Sequence, residues 1–373
     1  MTTSKLWVPA TAALAFLLSC GGSNGAMSGT GTINVRLVDG PIAGYQQLNV
    51  NVQSVEIAGE SGWMTLGEPK QTYDLLSLTG GVSATLVDGK TIPAGHYTQM
   101  RLVLGPGNTI MLADGTVADL TVPSGMQSGI KLLVNFDVLA GTTRDVAIDF
   151  VAAHSVQVVQ TGNSSKYLLR PTIHVVNDFL ATGSISGTFT DGSGAPLAGA
   201  EVTAQVLDGA GVPTVVRQTF TGPDGHYALT LLPAGATYYV VSQPVVGGAA
   251  YAARASGGLA IADATPTFVY NASFSTVSPT GGVAGAIAPA LTGDLVDLLQ
   301  TLAPGGSGSA TFVLHSAVPQ LTTSGTTTTE SYAFALVPPG SYFVRATRAP
   351  AVKTSPSVTV AANATATVNF SFP

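Results

Sequence analysis

The sequence predicts an all-β protein built from tandem β-sandwich domains. Short runs of alternating apolar and polar residues recur along most of the chain, which is the pattern of strands with one buried face. Glycine supplies 44 of the 373 residues, so tight turns between short strands are frequent. Because a single core stops growing at roughly 250 to 300 residues, we expect more than one domain.

The composition argues against a nucleic-acid partner. Charged residues make up only 9% of the chain, and the formal net charge is -6, whereas an average soluble protein has about 25% charged residues. The few basic residues form no stripe of the kind that a phosphate backbone requires.

Residues 1–19 are typical of a secretory signal peptide. Lys5 supplies the positive start, and residues 6–18 supply an apolar run that is too short to span a membrane. Residues 17–20 read Leu-Leu-Ser-Cys and resemble the bacterial lipobox. The resemblance implies a lipoprotein signal peptide, cleavage before Cys20 and lipidation of that thiol, so that the sandwich domains are anchored to a membrane. A chance cysteine is the alternative.

Residues 20–30 combine the lipidated Cys20 with a Gly- and Ser-rich tether, which we expect to be flexible. The residue after the cysteine is Gly21. It is not the Asp that resembles an inner-membrane retention signal in Gram-negative bacteria, so the sequence favours the outer membrane. Which face of that membrane carries the protein stays open.

Residues 31–180 form the predicted first domain, which is a β-domain. Within residues 48–57 the apolar alternation slips by one residue, which predicts a bulge at Gln53 and Ser54. Asp114-Gly115 is a strong β-hairpin signal. The domain resembles a family of bacterial envelope-lipoprotein domains of unknown function, and the likeness implies no activity. It is carried by residues 37–41, 49–57, Trp63, 73–78, 92–104, 122–125, 148–150 and 167–176.

Arg101, Asp39, Asp74 and Asp149 are charges within otherwise strand-like segments of this domain. Two interpretations stay open: a buried Arg–carboxylate pair or carboxylate cation site, or charges that lie on outer faces and at turns.

Residues 183–275 form the predicted second domain and resemble the carboxypeptidase regulatory-like domain, a small β-sandwich of the transthyretin type. We expect Val202, Leu229 and Leu231 to share one face of two facing strands. The likeness is carried by Gly187, Asp191-Gly192, Pro196-Leu197, Gly199-Ala200, Val202, Asp224-Gly225, Tyr227, Leu229 and residues 232–235.

Residues 281–373 form the predicted third domain, a second and diverged copy of the second domain. The segments 281–285 and 331–346 repeat 183–187 and 226–241, which indicates tandem sandwiches. The spacing of Leu295, Leu298, Leu299 and Leu302 predicts a short amphipathic helix. Residues 358–372 are predicted to form a closing hairpin.

The sequence predicts no catalytic residue, no cofactor site and no metal site, and we expect the protein not to be an enzyme. None of the five histidines begins a zinc-binding motif, and a triad assembled from distant loops has no sequence signal. The histidines are His96, His154, His174, His226 and His315.

The regulatory-like domains resemble carbohydrate-binding folds, which implies exposed aromatic side chains as a ligand platform. Tyr239 and Tyr251 are the candidates, and packing tyrosines are the alternative. We therefore expect a non-catalytic envelope lipoprotein that acts as a binding or scaffold protein, with a glycan or an envelope protein as partner. The alternatives are a hydrolase or metal-dependent enzyme with an unrecognised site in the first domain, and a purely structural component of an outer-membrane complex.

Overall fold

The structure is a computed structural model that describes residues 29–39, 45–59, 62–78, 82–123, 129–161, 164–177, 182–262, 267–306 and 308–373. The predicted signal peptide, Cys20 and most of the predicted tether lie outside the described residues. The described part folds almost entirely into strands, which confirms the all-β class. It contains no helix that is both long and apolar enough to cross a membrane.

The first domain is a sandwich of two sheets around one core. One sheet has the order β13-β10-β1-β5, and the facing sheet runs β12-β8-β7-β2-β6-β9 with β3 and β4 also paired to β2. A 3-10 helix covers Leu75–Ser77, and a short helix α1 covers Ala152–Ser155. The strands are β1 (Thr30–Asp39), β2 (Tyr45–Gly59), β3 (Gly62–Gly67), β4 (Gln71–Asp74), β5 (Ala84–Pro93), β6 (Gly95–Leu104), β7 (Thr109–Leu112), β8 (Val117–Thr121), β9 (Ile130–Val138), β10 (Thr143–Phe150), β11 (Val156–Thr161), β12 (Ser164–Leu169) and β13 (Ile173–Asn177).

Two local predictions for the first domain are confirmed. The register between β2 and β6 shifts between Val52 and Ser54, so the bulge keeps the apolar residues of β2 facing the core. Asp114-Gly115 forms the turn between β7 and β8. Gly115 has a φ of 85°, and an Asp114 carboxylate oxygen accepts a hydrogen bond of 2.9 Å from the Thr116 backbone N–H.

The second domain has two main sheets, with the orders β17-β14-β23 and β16-β15-β18-β21. β24 also pairs with β14, β22 pairs with β18, and β19-β20-β25 form a small third sheet. The strands are β14 (Thr182–Asp191), β15 (Glu201–Leu207), β16 (Pro213–Phe220), β17 (His226–Pro233), β18 (Ala236–Ser242), β19 (Val245–Val246), β20 (Ala249–Tyr251), β21 (Arg254–Ala255), β22 (Leu259–Ile261), β23 (Thr267–Val269), β24 (Ala272–Phe274) and β25 (Thr276–Val277).

The third domain repeats the main strand order of the second. β26 pairs with β30 and with β34 and β35, while β27 lies between β28 and β31, and β32 and β33 both pair with β31. A 3-10 helix covers Pro304–Gly306. The strands are β26 (Gly281–Ala288), β27 (Leu295–Leu302), β28 (Ala310–Ala317), β29 (Gln320–Ser324), β30 (Thr327–Val337), β31 (Gly340–Arg348), β32 (Ala351–Thr354), β33 (Val358–Val360), β34 (Thr365–Thr367) and β35 (Phe370–Ser371).

The second and third domains share a glycine that lies beside a carbonyl oxygen bonded to a tyrosine hydroxyl. At Gly187 a Cβ would overlap the Tyr270 carbonyl oxygen, and that oxygen accepts a hydrogen bond of 2.7 Å from the Tyr227 hydroxyl. In the third domain the Tyr332 hydroxyl donates to the Val368 carbonyl at 2.6 Å, again beside a glycine. The missing side chain lets the last strands approach the first strand of each domain.

The predicted helix over residues 295–302 is wrong. Those residues form the strand β27, which hydrogen-bonds to β28 on one side and β31 on the other. Leu298 and Leu299 are both buried although they point to opposite faces of the sheet. A strand buried on both faces has a continuous apolar run, which also satisfies a helical spacing.

The predicted closing hairpin is also wrong. Val358–Val360 pairs with β31 of one sheet, whereas Thr365–Thr367 and Phe370–Ser371 pair in parallel with β26 of the other sheet. The C-terminal segment therefore crosses between the two sheets and is hydrogen-bonded to both.

The three domains contact one another. β11 of the first domain pairs in parallel with β29 of the third, with Val159, Gln160 and Thr161 opposite Leu321, Thr322 and Thr323. This pairing joins the two domains into one sheet of 14 strands. The second domain contacts both partners, so the chain forms a closed arrangement of three sandwiches.

Candidate functional site

The two predicted platform tyrosines do not form an exposed surface. Tyr251 is only 9% exposed and belongs to the core of the second domain. The Tyr239 ring packs against Phe312 of the third domain, with 5.3 Å between the ring centroids. Both tyrosines are packing residues, which is the alternative that their strand pattern allowed.

Three of the four charged residues singled out in the first domain have structural partners within that domain. The Asp74 carboxylate accepts a hydrogen bond of 3.1 Å from the Leu48 backbone N–H, and the buried Asp39 carboxylate accepts one of 3.0 Å from Ala152. Arg101 donates through Nε to Glu56 at 2.6 Å. The Asp74 and Asp39 carboxylates therefore hold the backbone in place.

The three histidines whose side chains the structure describes each have a polar neighbour. His96 pairs with Asp137 at 2.7 Å on the surface, His226 lies 3.2 Å from the Thr188 hydroxyl, and His315 lies 3.2 Å from a Glu201 carboxylate oxygen. The side chains of His154 and His174 lie outside the described part. Among the residues that the structure describes, no group of three or more His, Cys, Asp or Glu side chains is placed to hold a metal ion.

The first–second junction is centred on a buried ion pair between Asp149 of β10 and Arg217 of β16. Their side chains are 4% and 10% exposed. Burial raises the pKa of Asp149 to about 6, while the positive charge of Arg217 acts in the opposite direction. The pair shows that one of the four sequence charges does lie in a buried Arg–carboxylate pair, although its partner comes from the second domain.

The same junction explains why Leu231 leaves the predicted face. Leu231 packs against Val38, Ala147 and Val176 of the first domain. Its φ of 57° turns the side chain away from the second-domain core, where Leu229 is buried. The prediction for Leu229 holds, and the prediction for Leu231 is wrong.

The second–third junction combines a buried amide, apolar packing and contacts of charged side chains. His315 Nδ1 of the third domain lies 3.2 Å from a Glu201 carboxylate oxygen of the second, and Arg345 donates to the Pro213 carbonyl at 3.0 Å. Gln205 is fully buried and bonds to both backbone groups of Val313: its Oε1 accepts from the N–H at 3.0 Å and its Nε2 donates to the carbonyl at 2.6 Å. Val241 and Ala255 of the second domain join the core of the third. The side chain of Gln205 therefore bonds to β28 of the neighbouring domain as a strand backbone would.

The first–third junction encloses a cavity of about 350 Å³ beside the shared sheet. Ser155, Gln157 and Arg170 line it from the first domain, and Gly293, Asp294 and Val318 line it from the third. Asp294 is 3% exposed and accepts from Arg348 at 2.6 Å. This pocket combines buried polar groups with contributions from two domains, so it is our candidate functional site.

A second acid shares the arginine that Asp294 binds. Glu330 is fully buried and accepts a hydrogen bond of 3.2 Å from Arg348. Burial raises the pKa of Glu330 to about 7, the hydrogen bond from the Leu291 backbone N–H lowers it, and the neighbouring Asp294 raises it. One arginine thus faces two carboxyl groups, and Glu330 gains a proton close to neutral pH.

Sequence reasoning did not select Gln157 or Arg170. Arg170 lies in the segment 167–176, where it is the one charged residue between an apolar strand and Pro171. A charged residue at that position, in a chain with few charges, was the signal that could have pointed to Arg170. Gln157 had none, because its role depends on contacts with Pro319, which is 162 residues away in sequence.

Comparison with known families identifies the first two domains. Residues 30–171 match the family described as a domain of unknown function, DUF4382, and residues 184–265 match the carboxypeptidase regulatory-like domain. The chain carries these two family domains in this order. No curated protein matches the chain.

The chain is weakly similar to several solved structures, three of which follow. The Bacillus anthracis TIE protein is 12% identical with a TM-score of 0.22, and the match covers 92% of this chain and 50% of that one. The chain therefore spans about half of the length of that protein. A streptococcal ancillary pilin is 13% identical with a TM-score of 0.22, covering 91% and 98% of the two chains. The shaft pilin SpaA from Lactobacillus rhamnosus GG is 10% identical with a TM-score of 0.21, covering 66% and 98%.

Proposed function

We propose that this protein is a non-catalytic lipoprotein of the cell envelope that presents binding surfaces in a fixed geometry. The observation that carries the proposal is the closed arrangement of three sandwiches, in which β11 and β29 share one sheet and buried polar side chains cross the other junctions. Such junctions restrict the relative motion of domains. A scaffold needs that rigidity, whereas a string of independent modules does not.

The proposed address is the outer membrane, through lipid on Cys20. The support is the Leu-Leu-Ser-Cys segment at residues 17–20 and the Gly at position 21. Stable anchoring requires two or more acyl chains, which a diacylglyceryl cysteine with an acylated amine provides.

Membrane fractionation of cells that express the full chain tests the anchor. We expect Cys20→Ser to move the protein from the membrane fraction to the soluble fraction or to leave it unprocessed. Ser19→Ala is the matched control, because it keeps a small residue before the cysteine and should stay in the membrane. Mass spectrometry of the native N-terminal peptide is decisive: an unmodified Cys20 would refute the anchor.

Glycan binding is a second candidate, and the observation that favours it is a polar face around Trp63. Trp63 is 38% exposed, and the Arg101 guanidinium carbon lies 4.5 Å from its ring centroid. The register places Trp63, Ala58, Gln99 and Leu133 in one row across β3, β2, β6 and β9. An exposed indole with planar polar neighbours suits a sugar ring.

A glycan array tests this second candidate. We expect Trp63→Ala to lose the signals that the parent protein gives, while Val117→Ala, a change at another exposed apolar residue, keeps them. If Trp63→Ala binds as the parent does, or if the parent binds no glycan, the face around Trp63 is not a sugar platform.

A further inference from the structure

The cavity at the first–third junction contains a buried acceptor without a partner. Gln157 is 1% exposed, and its Nε2 donates to the Pro319 carbonyl at 3.2 Å. Its Oε1 has no hydrogen-bond partner. Since buried polar groups are nearly always hydrogen-bonded, this oxygen is an acceptor that a ligand donor can satisfy.

The same cavity contains a buried donor without a partner. The Nε of Arg170 makes no hydrogen bond, and Arg170 forms no ion pair with any of the described residues. A Cβ on Gly293 would lie 3.6 Å from the Nη1 of Arg170, so the glycine lets the guanidinium lie against the third domain. The backbone of Arg170 is fixed by a hydrogen bond of 2.8 Å from its N–H to the Ser155 carbonyl.

The rest of the wall mixes apolar and polar side chains. Ile130, Leu169, Pro171 and Leu295 supply apolar surface, and Ser155, Thr172 and Asp294 supply polar groups. Asp294 is ion-paired with Arg348 at 2.6 Å, so Arg170 is the charged residue without an ion-pair partner among the described lining residues. A cavity with one such cation, one free acceptor and a partly apolar wall suits an anionic ligand that also carries a donor.

We propose that this cavity binds a small organic carboxylate that also carries a hydroxyl or N–H donor. The planar guanidinium of Arg170 matches the two oxygens of a carboxylate. The donor of the ligand bonds to the Oε1 of Gln157, and a compact apolar body packs against the leucine and proline side chains. The inference deepens the binding role proposed above, but it does not depend on the lipid anchor.

The test uses the full mature protein in detergent and three probes that differ by one group each. Mandelate has the carboxylate, the hydroxyl and an apolar ring, phenylacetate lacks the hydroxyl, and mandelamide lacks the charge. Saturation-transfer NMR and calorimetry give the affinities. We expect millimolar or tighter binding of mandelate and at least about tenfold weaker binding of mandelamide, because charge-assisted hydrogen bonds are the stronger ones.

Two variants assign the contacts to residues. Arg170→Gln should reduce mandelate affinity to the level of mandelamide, and Gln157→Leu should reduce it to the level of phenylacetate. Arg254→Gln removes an exposed arginine of the second domain and should leave mandelate binding unchanged. Thermal unfolding reports whether each variant is folded. If Arg170→Gln does not fold, Arg170→Lys replaces it, because lysine keeps the charge but loses the planar fork.

The proposal is overturned if the parent binds none of the three probes at about 5 mM, since that affinity would be weaker than the charge and acceptor should give. It is also overturned if Arg170→Gln and the parent bind mandelate equally, which would mean that the cavity holds only water. Either result would leave the membrane fractionation of Cys20→Ser unaffected, so failure of this proposal is distinct from failure of the anchor.

Discussion

The first–second junction is centred on one buried charge pair, whereas the second–third junction combines a buried amide with several other contacts. Asp149 and Arg217 lose most of their hydration to meet each other, while Gln205 bonds to the Val313 backbone, Tyr239 packs on Phe312 and His315 lies beside Glu201. A buried charge that loses its partner costs more than a buried amide that loses its partner. The first–second junction is therefore the more vulnerable to single substitutions, and the second–third junction spreads its stability over several contacts.

Breaking the charge pair should give the largest effect. We expect Asp149→Asn to lower the free energy of unfolding by about 3–5 kcal/mol, because it leaves the Arg217 guanidinium buried and unpaired. Urea denaturation measures this. Asp88→Asn, at an exposed carboxylate of the same domain, is the control and should change little.

The double variant Asp149→Leu with Arg217→Met sharpens the same point. It removes both charges and keeps apolar volume, so most of the lost stability should return. A double variant as unstable as Asp149→Asn would mean that the pair contributes packing or geometry that its charges do not explain.

Substitution of the buried amide in the second–third junction should have a smaller effect. Gln205→Leu leaves the N–H and the carbonyl of Val313 buried without partners, so we expect a loss of about 2–3 kcal/mol. The same denaturation experiment on Gln99→Leu, at an exposed position, provides the baseline. If Gln205→Leu were as stable as that control, the hydrogen bonds between Gln205 and β28 would not hold this junction.

The stability of the protein depends on pH through Glu330. Burial raises the pKa of Glu330 to about 7, so the folded protein holds a proton that the unfolded chain has released. The resulting stability is complete below the ordinary carboxyl pKa near 4 and is lost as the pH rises through about 7.

Glu330→Gln tests the assignment of that loss. Between pH 5 and pH 8 we expect Glu330→Gln to remove about 2 kcal/mol of the decline. Urea midpoints at the two pH values measure it. A decline in Glu330→Gln that equals the decline in the parent would contradict the raised pKa of Glu330.

The smallest effect should come from a pair on the surface. His96 and Asp137 lie 2.7 Å apart, but their side chains are 51% and 49% exposed. Water screens such pairs, so Asp137→Asn should cost less than about 0.5 kcal/mol. A cost like that of Asp149→Asn would show that exposure does not distinguish the two kinds of pair in this protein.

Local features of the fold were predictable from the sequence. The alternation in β1 and β2, the bulge beside Ser54 and the Asp114-Gly115 turn follow from side-chain period and backbone preference, which depend on neighbours in the chain. The repeat of the second domain in the third was visible for the same reason, because the turn and tyrosine segments recur.

Features set by distant contacts were not predictable. Leu298 and Leu299 match a helix or a central strand equally well, and only pairing with β28 and β31 decides between them. From the sequence alone, Tyr239 could be an exposed ligand platform, and only its packing against Phe312 of the third domain shows otherwise. The cavity around Arg170 depends on how the third domain packs against the first. The residues near Arg170 in the sequence do not predict that packing.

The pairing of β11 with β29 also has a consequence for how the chain matures. The partner of β11 is about 160 residues later in the chain, so the growing polypeptide presents an uncovered strand edge until its last sandwich has emerged. Uncovered edges invite pairing with other chains. We expect the order of synthesis, with the N-terminal unit complete first, to make this edge the point at which a truncated product aggregates.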